Sequence, residues 1–344
     1  ACSLLGPARR RVIIAGLEAR GAADAVRRLV GALGCPALVT YKAKGVIADS
    51  DPHYVGIFTG GAAESPCLER ADLIVLCGVD PVEFIRKPWQ YGAPVIDVAL
   101  AHHPIHYVDP AVGLYGNLPQ HLARLAAVPV STEWTRSEID SLRQGIRDAL
   151  RYVTRDGIGP QEVVELAAAA AAQGARMPRI TVDAGAHMFS AMAFWPGEAP
   201  YDALISNGLA TMAFAVPAAI AAALHEPDRA VIAFTGDGGL LMCLGELSTA
   251  VDQGARIVVI VFNDASLSLI DIKQQSRKLP AAGVRWRRPD FAKVMTALGG
   301  RGYRVATAGA YRRALRTALR GEGPALVDVV VDPSGYPEEL QAMR

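Results

Sequence analysis

Short apolar runs rich in β-branched residues recur along the chain and alternate with stretches that read as helices. In the first third, the runs lie at residues 11–16, 37–41, 73–78 and 94–99. Nearly continuous apolar runs of this length are typical of strands buried on both faces of a parallel sheet. Residues 22–33 read as a helix between the first two runs. Strands that alternate with helices predict a doubly wound domain over residues 1–128.

The second half of the chain repeats this alternation. Its strand-like runs lie at residues 179–184, 203–207, 230–235, 256–262 and 325–332. They predict a second doubly wound domain over residues 160–344, and the more polar residues 129–159 predict a linker that contains one helix. The predicted fold class is therefore α/β, with two parallel-sheet domains.

Polar residues end two neighbouring strands of the second domain. Gly236-Asp237-Gly238 follows one strand, and Asn263-Asp264 follows the next after 24 intervening residues. Between them, residues 240–253 read as one helix with Leu240, Leu244, Leu247 and Val251 on one face. Ligands of open α/β sheets bind at the carboxyl ends of strands, where Gly238 and Gly239 would let N–H groups approach a phosphate. Carboxylate and amide oxygens hold Mg²⁺ well when a diphosphate supplies the remaining ligands.

These residues resemble the cofactor motif of the thiamine diphosphate (ThDP) enzymes, in particular the acetolactate synthase-like large subunits. The family motif is Gly-Asp-Gly, roughly two dozen residues, then Asn-Asn or Asn-Asp. The resemblance implies that Asp237, Asn263 and the main-chain carbonyl of Ala265 bind Mg²⁺, with Gly236, Gly238 and Gly239 around the diphosphate. The alternative is that Gly-Asp-Gly forms only a tight turn after a buried strand.

Two upstream segments resemble further parts of the same family. Residues 206–220 look like the segment that places a bulky apolar side chain beneath the cofactor, and Met212 matches that catalytic position. The carbonyl of Ala210 and the amide of Met212 match the groups that bind the aminopyrimidine. Residues 182–187 resemble the turn whose Ala186 and His187 positions reach the diphosphate. From the residues alone, Met212 could instead fill the core of an apolar helix, and His187 could be an ordinary buried histidine.

The family pattern includes a domain that is not recognisable in this sequence. Family members begin with a pyrimidine-binding domain whose glutamate drives formation of the thiazolium ylide, whereas this sequence starts in a region that resembles the family's middle domain. Glu18, Glu64 and Glu83 lie in that region, and Asp264 and Glu246 lie near the diphosphate end, so none is expected to replace it. The resemblance implies a separate polypeptide that carries the pyrimidine-binding domain, and an inactive isolated chain. A processed or truncated chain is the alternative.

Basic residues gather after Asn263. Lys273 takes a position that is tryptophan in acetolactate synthases, and one acid, Asp271, opposes the basic residues Arg277, Lys278, Arg285, Arg287 and Arg288. A positive cleft would suit a small anionic 2-keto acid or an acyl-CoA, although such a run also fits a solvated surface. The predicted function is decarboxylation, carboligation or C–C cleavage by an enzyme that uses ThDP and Mg²⁺. The alternatives are a non-catalytic ThDP-binding regulatory paralogue and an acetolactate synthase acting on pyruvate.

Composition limits the number of domains and the classes of partner and cofactor that the chain could have. A chain of 344 residues, 51% hydrophobic, suits two domains, and a net charge of +1 argues against nucleic acid or membrane partners. The apolar run at residues 209–224 contains Pro217 and predicts a buried helix. Five cysteines without a CxxC motif predict reduced thiols and a cytoplasmic location. The turn at residues 16–21 lacks the second glycine of a dinucleotide-binding loop, so neither NAD nor FAD is expected.

Overall fold

The protein folds into two compact units. The computed structural model describes residues 1–84, 88–103, 108–152, 154–206 and 208–343. Unit 1 comprises Ala1–Leu150, Pro196–Asp202 and the residues from Gln341, and unit 2 comprises Arg151–Trp195 and Ala203–Leu340.

Unit 1 is built on a six-stranded parallel sheet in the order β3-β2-β1-β4-β5-β6. The strands are β1 (Arg11–Ala15), β2 (Ala37–Val39), β3 (Tyr54–Ile57), β4 (Leu73–Cys77), β5 (Val95–Ala99) and β6 (Val112–Tyr115). The helices are α1 (Cys2–Leu5), α2 (Ala23–Leu33), α3 (Ser65–Leu68), α4 (Leu118–Ala126) and α5 (Arg136–Ala149), with short 3₁₀ segments at Leu17–Ala22, Tyr41–Ala43 and Pro81–Glu83. This strand order is that of a doubly wound sheet, so the predicted fold class is confirmed for this unit.

Helix α5 lies in the segment that the sequence assigns to the linker, yet it belongs to unit 1. Thr135 and Glu138 form a capping box at its start, which satisfies backbone groups that the first turn leaves free. Its buried side chains include Ile146, whose methyl group lies close to Gly56 of β3. The helix therefore packs against the edge strand of the sheet.

Unit 2 is built on a second six-stranded parallel sheet, in the order β11-β12-β10-β9-β7-β8. The strands are β7 (Arg179–Val182), β8 (Ala203–Ile205), β9 (Val231–Gly236), β10 (Ile257–Asn263), β11 (Arg301–Val305) and β12 (Ala325–Val330). The helices are α6 (Pro160–Ala171), α7 (Ala186–Phe194), α8 (Ala215–His225), α9 (Asp237–Met242), α10 (Glu246–Asp252), α11 (Ser268–Ser276), α12 (Phe291–Ala297), α13 (Ala308–Arg320) and α14 (Tyr336–Ala342), which begins in this unit. Central strands β9 and β10 are almost wholly buried, which confirms the second doubly wound sheet.

Two predicted helices differ from the observed ones. The single helix predicted over residues 240–253 is divided into α9 and α10 at residues 243–245, although its four apolar residues still face the core. The helix predicted over residues 209–224 begins only at Ala215, because Ala210 and Ala213 have positive φ values of 47° and 62°. Leu209 is consequently 85% exposed instead of buried. Asn207, at the end of the predicted strand, lies outside the described residues.

Across the described residues, no helix has both the length and the apolar character needed to cross a membrane.

Candidate functional site

A cavity of about 220 Å³ lies at the topological switch point of the unit 2 sheet, where the order of successive strands reverses. Strands β8 and β9 lie on opposite sides of β7, so the order of strands runs outward in both directions from β7. Ligands of open α/β sheets bind outside the carboxyl ends of strands at such a point. The lining residues follow β7, β9 and β10 and include Ala186, His187, Ala210, Met212, Gly236, Asp237, Gly238, Gly239, Phe262, Asp264, Leu267, Ile270 and Tyr336.

Asp237 and Asn263 lie beside each other at neighbouring strand ends. The parallel pairing of β9 and β10 aligns Gly236 with Phe262, so the next residue of each strand is also adjacent. Both side chains are buried. Oδ2 of Asp237 and Oδ1 of Asn263 have no hydrogen-bond partner within the described chain. Buried polar atoms are almost always paired, so two neighbouring unpaired oxygens indicate a ligand with positive charge or donor groups.

Asp328 fixes the orientation of the Asn263 amide. Nδ2 of Asn263 donates to Oδ1 of Asp328 at 2.8 Å and to the carbonyl of Pro289 at 3.1 Å. A carboxylate accepts only from the amide nitrogen, so Oδ1 of Asn263 is left as the unpaired atom. Sequence reasoning missed Asp328, although an acid inside the apolar run at residues 325–330 is a usable signal.

Negative charge is concentrated at this end of the cavity. Burial, together with the nearby Asp264 carboxylate, raises the pKa of Asp237 to about 7. The Trp286 indole and the Ala265 amide oppose this rise without reaching hydrogen-bond geometry with Oδ2. Burial also raises the pKa of Asp264 to about 6, against hydrogen bonds from Ser268 Oγ and the Ser266 amide. A bound cation would favour the charged form of both acids.

The two glycines after Asp237 are required by packing. A Cβ on Gly239 would lie 2.2 Å from Oδ2 of Asp183, and one on Gly238 would lie 2.5 Å from the Leu267 side chain. Asp183 follows β7 and accepts hydrogen bonds from Thr235 Oγ1 at 2.6 Å and the Ala215 amide at 2.5 Å. This buried acid therefore links β7, β9 and α8, and sequence reasoning missed it. The glycines keep the start of α9 close to that link.

His187 lies in the first turn of α7, against the end of β10. Its ring stacks on Phe262 with centroids 5.2 Å apart. Burial lowers the pKa of His187 to about 3, so the imidazole is neutral near pH 7. Its Nε2 atom is buried and has no partner in the described chain. Nε2 of the neutral imidazole can therefore make one hydrogen bond with a ligand in the cavity, as donor or acceptor according to the tautomer.

Met212 and Ala210 lie in the turn before α8 and line the cavity. Met212 is therefore not the filling of a helix interior, because α8 begins three residues later. The positive φ of Ala210 and Ala213 is uncommon for residues other than glycine. Such backbone geometry persists only where the surrounding fold enforces it, and it often occurs where a ligand binds.

The remaining predicted residues lie beside the cavity or outside it. Ala265 also has a positive φ, 64°, and its carbonyl accepts a hydrogen bond from the Trp286 amide at 3.2 Å. Lys273 lies on α11, is exposed and is not among the lining residues, whereas Ile270 of the same helix is. The structure thus gathers Ala186, His187, Ala210, Met212 and residues 236–239 around one cavity, with Asn263 and Ala265 next to it.

No group of three His, Cys, Asp or Glu side chains that could hold a metal occurs within the described ranges. Asp237 and Asn263 offer one free oxygen each, and a hard divalent cation needs six or more oxygen ligands. A cation at this point would therefore need oxygens from a ligand such as a diphosphate. Buried, unpaired oxygens next to the cavity fit that requirement.

Comparison with known proteins matches both parts of the chain to one family. Residues 183–329 match the C-terminal TPP binding domain of the thiamine pyrophosphate enzymes, and residues 1–125 match their central domain. An acetolactate synthase of Bacillus subtilis (strain 168) is 29% identical over 91% of this chain and 56% of its own length. A catabolic acetolactate synthase of Raoultella terrigena is 32% identical over 81% and 51%, respectively. A 2-hydroxyacyl-CoA lyase of Oryza sativa subsp. japonica is 26% identical over 97% and 61%.

The chain therefore belongs to the thiamine pyrophosphate-dependent enzyme family, and its resemblance to the acetolactate synthase-like members is confirmed. It spans between half and two thirds of the length of these curated relatives.

Proposed function

We propose that the chain is a subunit of a ThDP- and Mg²⁺-dependent enzyme that acts on 2-keto acids or 2-hydroxyacyl compounds. The observation that carries this proposal is the pair of buried, unpaired oxygens of Asp237 and Asn263 beside the cavity at the switch point. When bound, ThDP supplies a carbon nucleophile that attacks a carbonyl group and stabilises the negative charge of bond cleavage.

The chain's own residues would bind and orient the cofactor. Asp237, Asn263 and the Ala265 carbonyl would hold Mg²⁺, and the amides at the start of α9 together with Ala186 and His187 would face the diphosphate. The Ala210 carbonyl and the Met212 amide would hold the aminopyrimidine, and the Met212 side chain would support the bent form of the cofactor. The apolar lining at Phe262, Leu267 and Ile270 would limit the access of water to the bound cofactor.

Calorimetric titration with ThDP tests this site. The wild-type chain is expected to bind ThDP in the presence of Mg²⁺ and to lose binding in EDTA. Asp237→Ala should weaken Mg²⁺-dependent binding by about 100-fold or more, because it removes a metal ligand. Asp252→Ala, which removes an exposed carboxylate on α10, is the matched control and should bind normally. Unchanged affinity in Asp237→Ala would refute the assignment.

We propose that a pyrimidine-binding domain on a separate polypeptide completes the active site. The cavity's described lining contains two carboxylates, Asp237 and Asp264, and both lie at the end proposed for the diphosphate. The acid that activates the aminopyrimidine must therefore come from elsewhere. Leu209 is 85% exposed next to the lining residue Ala210, and Ile270 on the rim is 43% exposed. Apolar exposure at a cavity rim fits a surface that another domain covers.

The proposed substrate is a small anionic 2-keto acid or an acyl-CoA. The basic residues of α11 and the following loop support it. Arg285 pairs with Asp271 at 2.7 Å. Lys273 lies exposed on α11, and Arg277 lies exposed directly after the helix. The reconstituted enzyme should prefer dianionic keto acids or 2-hydroxyacyl-CoAs to pyruvate, and Lys273→Ala should reduce that preference. Preference for pyruvate with no effect of Lys273→Ala would instead support an acetolactate synthase.

A non-catalytic, regulatory ThDP-binding protein is the alternative function. The ligand set at Asp237 and Asn263 serves either function, because both require the cofactor to bind. Turnover by the reconstituted complex separates them, since a regulatory paralogue would bind ThDP and release no product.

The cysteines of the chain carry no disulfide, which fits the proposed cytoplasmic location.

We propose further that unit 1 holds no FAD. In doubly wound sheets, the backbone amides after β1 bind the dinucleotide's phosphates. Here the Glu83 carboxylate accepts hydrogen bonds from the Leu17 amide at 2.8 Å and the Asp80 amide at 3.1 Å. Glu18 likewise accepts from the Leu100 amide at 2.7 Å. Two carboxylates at this position would repel a pyrophosphate. The test is incubation with FAD followed by gel filtration, and a flavin chromophore that stays with the protein would contradict the proposal.

A further inference from the structure

A second cavity in unit 2, of about 290 Å³, lies at the end of the sheet opposite to the proposed cofactor site. It is bordered by the end of α6, the loop between α6 and β7, the turn before β9, the residue before β10 and the last turn of α13. These segments all meet at the amino ends of the strands, whereas the proposed cofactor residues follow the carboxyl ends. The two cavities are therefore separated by the length of the sheet.

Arginine dominates this second cavity. Its lining includes Arg176, Arg229, Arg256, Arg316 and Arg320, opposed by one lining carboxylate, that of Asp228. Arg176 pairs with Glu226 at 2.7 Å, and Nε of buried Arg229 donates to the Met177 carbonyl at 3.1 Å. The guanidinium groups of the other three arginines make no ion pair and no hydrogen bond within the described chain. The cavity thus presents at least three guanidinium groups whose donors are available to a ligand.

The arginines of α13 are not needed to stabilise the end of that helix. Cations at a helix C-terminus offset its dipole, which is the ordinary explanation for Arg316 and Arg320. Arg301 already takes that position, because its guanidinium donates to the carbonyls of Thr317 and Ala318 at 3.2 and 3.4 Å. The helix contains four arginines and no acidic residue, and like charges four positions apart, as at 316 and 320, are destabilising. A bound anion would reduce this repulsion.

We propose that this cavity binds the di- or triphosphate group of a small organic ligand. Guanidinium groups bind phosphate oxygens in pairs, and several unpaired ones around one hollow suit a polyphosphate better than a single carboxylate. Ala170, Ala171 and Leu319 add an apolar wall on which a ring can rest. A partly open cavity of about 290 Å³ accommodates a small molecule, whereas an acidic protein partner would need an extended surface.

Calorimetric titration in EDTA isolates this cavity, because the proposed cofactor site depends on Mg²⁺. The probes are inorganic pyrophosphate, ADP and a tetraglutamate peptide. The double variant R316S/R320S should weaken pyrophosphate binding by about tenfold or more. The matched control is R312S/R313S, which removes the same charge from the same helix but at positions outside the cavity lining. The control should keep its affinity within about twofold of the wild type.

The outcomes separate the interpretations. ADP binding that is tighter than pyrophosphate binding identifies a nucleotide, and equal binding identifies a phosphorylated compound without base recognition; either supports the proposal. Equal losses in the two double variants would show general charge attraction and overturn it. No binding to the wild type, or tighter binding of the peptide than of pyrophosphate, would overturn it as well. Circular dichroism checks that both double variants are folded.

Discussion

The orientation of the Asn263 amide on β10 depends on Asp328, which lies on β12. The place of Asn263 at the end of a buried strand can be predicted from the sequence, because the apolar run ends there. Asp328 cannot be assigned to it from the sequence, because β12 lies next to β10 only through the order of strands in the sheet. The same holds for Asp183, which meets Gly239 across β7 and β9. Motif spacing identifies residues that face a ligand, but not the residues behind them.

The Asn263–Asp328 contact leads to a prediction about cofactor affinity. Asp328→Asn would allow the Asn263 amide to turn, so that Nδ2 competes with Oδ1 for the metal-facing position. We expect Mg²⁺-dependent ThDP affinity to fall by about 10–100-fold. Asp290→Asn is the control, because Asp290 shares the Arg304 ion pair with Asp328 and does not contact Asn263. Equal calorimetric affinities in the two variants would contradict the positioning role.

Glu339 leads to a prediction about pH and stability. The side chain is buried and accepts from Ser190 Oγ at 2.8 Å, and burial raises its pKa to about 8. Its usual pKa is lower, so the folded state binds the proton more firmly between these values. The free energy of unfolding should therefore fall as pH rises from about 5 to 8.

Glu339→Gln should remove much of that pH dependence. The amide is neutral at every pH, so we expect the variant to unfold at a higher temperature than the wild type at pH 8–9, while the two converge near pH 5. Glu338→Gln, at the exposed neighbouring position, is the control and should follow the wild-type curve. Thermal unfolding across this pH range tests it, and parallel curves for Glu339→Gln and wild type would show that Glu339 does not contribute.

At the scale of elements, the strands are predicted more accurately than the turns between them. Apolar runs predict β9 and β10 to within one residue, since these strands are buried on both faces. Strands β3, β6 and β11 are missed, because they contain glycine and are partly exposed. The turn at residues 208–214 is read as helix, because local spacing does not reveal positive φ values at alanine. This turn contributes Ala210 and Met212 to the cavity, so the backbone that is hardest to predict lies at the candidate site.

The start of α9 gives a prediction about stability. Gly239→Ala would place a methyl group against Asp183 and Thr235, and we expect a loss of about 1–3 kcal/mol in the free energy of unfolding. Gly245→Ala is the matched control, because it lies just before α10 with ordinary helical dihedrals and open space around it. That change should be neutral or stabilising by up to about 1 kcal/mol. Urea unfolding measures both, and a larger loss for Gly245→Ala would reverse the argument.

At the scale of the whole molecule, the alternation of strands and helices predicts two doubly wound sheets. It does not predict which segments of the chain pack in each unit. Residues 196–202 follow unit 2 residues in the chain, yet they pack in unit 1, where Ala199 O would lie 2.1 Å from a Cβ on Gly45. The arginine cavity is likewise built from segments more than 100 residues apart. Both features depend on long-range contacts that periodicity does not encode. Each element can be predicted locally, whereas the surfaces they form together require the fold.

The last prediction concerns activity of the whole assembly. Among the described residues that line the cofactor cavity, Asp237 and Asp264 are the acids, and both lie at the diphosphate end. The purified chain with ThDP and Mg²⁺ should therefore show little turnover of 2-keto acids. Adding a polypeptide with a pyrimidine-binding domain and its glutamate should raise turnover by several orders of magnitude, because proton transfer at the aminopyrimidine then becomes available. Asp237→Ala with the same partner should stay inactive, and Leu209→Ser should raise the partner concentration needed for half-maximal activity, because Leu209 is exposed at the cavity rim. Full turnover by the chain without a partner would show that the acid lies within it and would remove the reason for a second polypeptide.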